Sequence, residues 1–186
     1  MIVLIVILVI VVALVGFGII AFNKLRTTDI GAQEALGGID VQLTRRADLI
    51  PNLIATVKGY AAHEKGVFEA VTNARAKVQK AAVEDDVPAK AAADAELTQS
   101  LVNLNAVAEA YPDLKANTNF LELQAQLAET ENQISFARQY YNDAVATLNK
   151  LTQTIPWMFF TGIAKVHQRE FYQAPEGQAT APTVSF

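Results

Sequence analysis

The stretch DVQLTRRADLIPNLIATVKGY, Asp40 to Tyr60, decides how the rest of the chain is read. Its apolar residues return every seven positions: Leu43, Ile50 and Val57 form one series, and Ala47, Ile54 and the neighbouring Ala61 form another. That a/d-like spacing belongs to a helix packed at a shallow angle in a bundle or coiled coil. Pro51 stands inside the pattern. Asp48 could cap a new helix with Pro51 in its first turn, but a break would normally reset the stripe, and here the phase survives. The reading is therefore one helix bent at Pro51, with the Ala47 carbonyl released for water or a side chain.

Upstream, Ile2 to Phe22 is a run of 21 residues without a charge. At ~1.5 Å per residue it spans about 30 Å, the thickness of a bilayer core. A cleaved signal peptide is the competing reading. It fits poorly, because the run exceeds the usual h-region and no basic residue precedes it. The expectation is a transmembrane anchor over residues 1–26. Lys24 and Arg26 follow the span directly, and the positive-inside rule then places the bulk of this single-pass chain in the cytoplasm.

Downstream, three further helical segments follow one from about Thr28 to Ala61. His63 to Ala82 keeps Val67, Val71, Ala74 and Val78 in helical spacing. Gly59 and Gly66 bracket a break before it, which is favoured over one unbroken rod through Phe68. Pro88 suits the first turn of a third helix, whose stripe is Leu97, Leu101, Leu104, Ala108 and Tyr111 and which stops at Pro112. Asn119 to about Leu151 carries Leu127, Ile134, Tyr141 and Leu148 in one seven-residue series, and Leu123, Thr130, Ala137, Ala144 and Leu151 in the other. No segment alternates with period two over a useful length. The fold class is all-α: an N-terminal transmembrane helix, then an antiparallel up-down four-helix bundle over 27–152.

The chain should return to the membrane near residue 152. The segment 153–172, TIPWMFFTGIAKVHQREFY with its preceding glutamine, mixes Trp157, Phe159, Phe160, Phe171 and Tyr172 with Lys165 and Arg169, as membrane-proximal segments do. The alternative is that these aromatics cap the open end of the bundle core. Residues 173–186 read as a disordered tail, ending in Val184-Ser185-Phe186, a weak match to a strand-adding PDZ ligand.

Composition excludes several chemistries. There is no cysteine, the net charge is −4 and no basic run suits nucleic acid. His63 and His167 are the only histidines, and neither has a glutamate three residues before it, so a bundle di-iron site is ruled out on spacing. Val67 likewise spoils a zinc-protease motif at His63. Neither an enzyme activity, a metal nor a cofactor is expected.

The polar residues inside the long helices are more telling. Pairing Ala61 with Asn117 in antiparallel fashion sets Arg46 opposite Asn132 and beside Glu131, and Asp40 opposite Arg138. Arg46 lies on the stripe, so its guanidinium should be partly buried and need a carboxylate, with Glu131 the first choice. Such a pair would specify register more than it adds stability. The alternative is a partner-binding patch of Arg45, Arg46, Asp48 and Glu131. In YPDLKANTNF, Tyr111, Pro112 and Asp113 read as a helix stop with Asn117 or Asn119 capping the next helix, or as a contact surface at the membrane-distal apex.

Taken together, DVQLTRRADLIPNLIATVKGYAAHE (Asp40 to Glu64), ARA (Ala74 to Ala76), YPDLKANTNFLELQ (Tyr111 to Gln124) and TEN-I-ARQYYN (Thr130 to Asn142, with gaps) resemble the LemA family of bacterial membrane proteins. The resemblance implies a single N-terminal span, a helical bundle and no established reaction. Some relatives are associated with membrane proteases of the HtpX type, and a LemA-like protein takes part in building magnetosome membranes. The resemblance thus implies a scaffold that self-associates and organises membrane or partner proteins, or else an adaptor of a membrane protease. The expected partners are the lipid bilayer, further copies of the chain and another membrane protein.

Overall fold

The structure is a computed structural model that describes residues 1–173. All the regular structure among them is helical: α1 (Ile2–Lys58), α2 (Lys65–Val83), α3 (Val87–Glu109), α4 (Pro112–Lys115), α5 (Thr118–Gln153), a 3-10 turn (Trp157–Phe160) and α6 (Thr161–Ala164). The expected tail and PDZ-like end lie, beyond Gln173, outside the described residues.

The apolar run and the segment around Pro51 belong to one uninterrupted helix, α1, with Pro51 inside it. Proline leaves the carbonyl four residues back without its helical donor. In α1 that carbonyl, of Ala47, accepts a hydrogen bond from the Arg75 Nε on α2 at 2.8 Å. The break expected after the first long segment falls where the glycines indicated: α1 ends at Lys58, and a turn containing the buried Ala61 leads into α2. Asp86 caps α3 by accepting from the Ala89 backbone N–H at 2.9 Å, with Pro88 in the first turn. Asn117 caps α5 in the same way, accepting from the Phe120 N–H at 3.0 Å. Pro112 stops α3 and also opens the one-turn helix α4.

The described chain divides into two compact units, Met1–Leu36 with Gln139–Phe171, and Gly37–Arg138 with Tyr172 and Gln173. In the second unit α1 buries Ile39, Leu43, Arg46, Ile50, Leu53 and Val57, spaced alternately four and three apart. The companion to the Leu43, Ile50, Val57 series is therefore Ile39, Arg46, Leu53, while Ile54, which the sequence reading placed inward with Ala47, is only half-buried. From the other helices this core receives Phe68, Val71, Ala74 and Val78, then Leu97, Leu101 and Leu104, then Phe120 and Ile134. In the first unit α1 presents Ala21, Leu25 and Ala32, and α5 presents Tyr141, Val145 and Leu148. The residues of α1 before Gly16 are exposed along the whole circumference, as a helix made to face lipid must be.

Candidate functional site

The most concentrated chemistry lies inside the second unit. Arg46 occupies a core seat of α1 with its side chain 5 % exposed. Its Nη1 donates to Asp94 Oδ1 at 3.0 Å and to the Thr98 hydroxyl at 3.0 Å, both on α3, and lies 2.8 Å from a carboxylate oxygen of Glu131 on α5. Asp94, 1 % exposed, also receives Arg138 Nη2 from α5 and the Tyr172 hydroxyl at 3.1 Å. The Arg138 guanidinium lies over the Tyr172 ring, 5.4 Å from its centre. Two guanidinium groups thus face two carboxylates, and Asp94 is the hinge between them.

Electrostatics follows from burial and from these partners. Burial opposes the charge of Arg138, but Asp94 outweighs it, and the pKa ends above the usual guanidinium range. Tyr172 is pushed up first by burial and then by the Asp94 charge, so its phenol stays protonated. A second pair lies nearby in the same unit. Lys90, 1 % exposed, reaches Asp40 at 2.5 Å and also donates to the Ala82 carbonyl at 3.1 Å. Burial raises the Asp40 carboxyl above its ordinary range, and the Lys90 ammonium opposes that shift only in part.

Glu131 meets Arg46, as the register of α1 and α5 indicated, whereas Asp40 and Arg138, set opposite each other by the same register, each pair with another residue. Lys90 takes Asp40 and Asp94 takes Arg138, because α3 brings two charges of its own into the core. Lys90 and Asp94 were missed, and Tyr172, read with the aromatics of the membrane-proximal segment, is buried against Asp94. The signal for the first two was present: the spacing of Leu97, Leu101, Leu104 and Ala108 continues backwards, four and three apart, onto Asp94 and Lys90. Tyr172 follows the last helix and carries no periodicity that could have announced it.

Arg45 and Asp48 are exposed beside the buried Arg46, Pro51 is exposed, and at the α3–α5 connection Tyr111 is half-buried with Pro112 and Asp113 exposed. His63 and His167 are exposed, and among the described residues no group of three His, Cys, Asp or Glu side chains could hold a metal ion. The cluster's charged groups pair with one another, an arrangement suited to fixing helix register, although Arg46 Nε and Arg138 Nε are buried without a hydrogen-bond partner.

The first unit holds the aromatic residues. Phe17 of α1 stacks on Trp157, ring centres 6.0 Å apart, and meets Phe160 edge-on at 5.8 Å. Phe159 projects outward, 69 % exposed. After α6 the chain reverses at Lys165 (φ 52°) and runs extended along α5. The Asn149 amide holds that return at both of Arg169's backbone groups, 2.9 Å each, and the Tyr141 hydroxyl donates to the Glu170 carbonyl at 2.8 Å. The Arg169 guanidinium reaches Asp29 at 2.8 Å, and Arg26 pairs with the same carboxylate at 3.6 Å. Lys24 is exposed.

A helical protein with, among its described residues, one helix long and apolar enough to cross a membrane, and with buried ion pairs between its other helices and that one, is the class these features define. Residues 35–186 match the LemA family, and the chain belongs to it. Among characterised relatives it is similar to the magnetosome proteins MamQ 1 and MamQ 2 of Paramagnetospirillum magneticum, each 25 % identical over 186 positions covering 88 % of this chain and 68 % of theirs. The magnetosome protein MamQ of Magnetospirillum gryphiswaldense is 25 % identical over 182 positions, 84 % of this chain and 66 % of its own length. These likenesses and the apolar helix make the protein membrane-associated.

Proposed function

We propose that this chain is a non-catalytic, single-pass scaffold of the bacterial inner membrane. Residues 27–152 form an antiparallel four-helix bundle on the cytoplasmic side, which self-associates to organise membrane or partner proteins. The observation that carries this is the Arg46–Asp94–Arg138 network: its charges pair with one another inside the core, which supports a role in holding the helices in place. Exposed Val41, Val102, Leu121 and Phe136 on the same unit supply apolar surface for lateral contact. The relatives named as magnetosome proteins are consistent with work at a membrane.

Cross-linking and mass photometry of the full chain in detergent test the proposal. The expected result is discrete oligomers that Phe136→Lys weakens. Monomers alone, with no membrane protein co-purifying, count decisively against a scaffold. A protease that co-purifies, and whose rate changes when this protein is deleted, would favour the adaptor role. A reporter fused after Phe186 decides orientation, and activity of a periplasmic reporter there overturns the cytoplasmic placement.

A further inference from the structure

Between Lys150 and Lys165 the chain carries no charge over 14 residues, Leu151 to Ala164, too few to cross a bilayer as a helix. Ile155, Phe159 and Ile163 in this stretch are 72, 69 and 70 % exposed, and Met158 is 42 % exposed. Trp157 and Phe160 of the same stretch rest on Phe17. Phe17 lies five residues inside the end of the apolar run at Phe22, which is about 7.5 Å along a helix axis. A segment in ring contact with Phe17 therefore stands below the level of Lys24, the first charged side chain after the span. On a water-facing surface such a patch is a liability. Beside a membrane-crossing helix it continues the lipid-facing surface, at the depth where tryptophan and phenylalanine are favourable.

We propose that Ile155 to Ile163 is a second membrane contact, an apolar wedge seated at the headgroup and acyl-chain boundary of the leaflet next to Lys24. Exposed Lys150 and Lys165 bound it on the water side. The geometry differs from the span itself: Trp157 and Phe160 hold the segment to α1, while Ile155, Phe159 and Ile163 displace lipid in one leaflet only. The inference rests on the first half of α1 crossing the bilayer, and the test separates the two.

Trp157 is the only tryptophan, so its depth can be read in the unaltered full chain. The protein is reconstituted into phosphatidylcholine–phosphatidylglycerol vesicles, and emission is quenched with lipids brominated near the headgroup, with lipids brominated near the acyl terminus, and with aqueous iodide. The expected result is strong quenching by the shallow bromines, weaker quenching by the deep ones and little by iodide. Phe159→Glu combined with Ile163→Glu should return Trp157 to iodide while the protein still floats with vesicles. Free access of iodide to Trp157, without bromolipid quenching in vesicle-bound protein, overturns the wedge and leaves the span intact. Failure to float with vesicles at all overturns both.

Discussion

Asp94 is where a single substitution should cost most. It is 1 % exposed and receives Arg46 Nη1 at 3.0 Å, Arg138 Nη2 and the Tyr172 hydroxyl at 3.1 Å. In Asp94→Ala, Arg46 keeps Glu131 but loses its buried anion, and the Tyr172 phenol loses a charged acceptor. Removing one member of a buried ion pair costs about 3–5 kcal/mol. Arg138, its side chain 24 % exposed, can turn partly to water and adds little. The expected loss is therefore about 4 kcal/mol, close to a thousandfold in the folding equilibrium. Glu131→Gln is the control: its side chain is 40 % exposed, and a charge so open to solvent contributes at most about 1 kcal/mol. Urea titration of the detergent-solubilised full chain, followed by circular dichroism, reads both. A loss under about 1 kcal/mol for Asp94→Ala, or equal losses for the two variants, would refute the view that Asp94 holds the core in register. Arg46→Met with Asp94→Leu should regain much of the deficit, since well-packed apolar replacements of buried pairs are often neutral.

Other outcomes follow from the same geometry. Arg75→Met should cost about 1–2 kcal/mol in the natural chain and far less beside Pro51→Ala, where the Ala47 carbonyl regains its helical donor; equal losses in the two backgrounds would dismiss the coupling. Gly37 and Gly38 lie exposed within α1, and a Cβ at either meets nothing within 4 Å, so alanine at each should raise stability by about 0.5–1 kcal/mol. Alanines that leave stability unchanged but abolish cross-linked oligomers would instead mark that face as a contact between copies. For Tyr172, whose pKa the fold raises, the stabilising contribution is complete below the unfolded value of about 10 and is lost as pH rises beyond it. Tyr172→Phe should flatten the alkaline limb of a stability–pH curve. The raised carboxyl of Asp40 gives the same sign at acid pH: its favourable contribution is present below 3.8 and is lost as pH rises through the folded value, so Asp40→Asn should remove that slope.

Helix extents were legible because local chemistry writes them. Asp86 and Pro88 start α3, Asn117 starts α5, and Gly59 sits where α1 ends. The helix through Pro51 was legible from the unbroken phase of Leu43, Ile50 and Val57, although the side chain that takes the Ala47 carbonyl, Arg75, lies 28 residues away and could not be named. Pairing α1 with α5 alone found Glu131 for Arg46 because those two helices share a register there. It failed for Asp40 and Arg138 because a core charge is claimed by whichever helix reaches it, and α3 reaches both through Lys90 and Asp94. An apolar stripe that begins with two charged residues looks, on sequence, like a solvated first turn. Its depth emerges only once oppositely charged side chains face it.

The place of Tyr172 in the chain also has a consequence for biosynthesis. Arg46, Asp94, Glu131 and Arg138 are all translated before it, yet the Asp94 carboxylate gains its phenolic donor only when residue 172 has left the ribosome. Translation runs in residue order and helices can form as they emerge. A nascent chain halted after α6 would therefore carry α1, α3 and α5 with their ion pairs but without the tyrosine that completes the cluster. The last hydrogen bond of the Asp94 cluster is thus added after every helix that carries its ion pairs has been made.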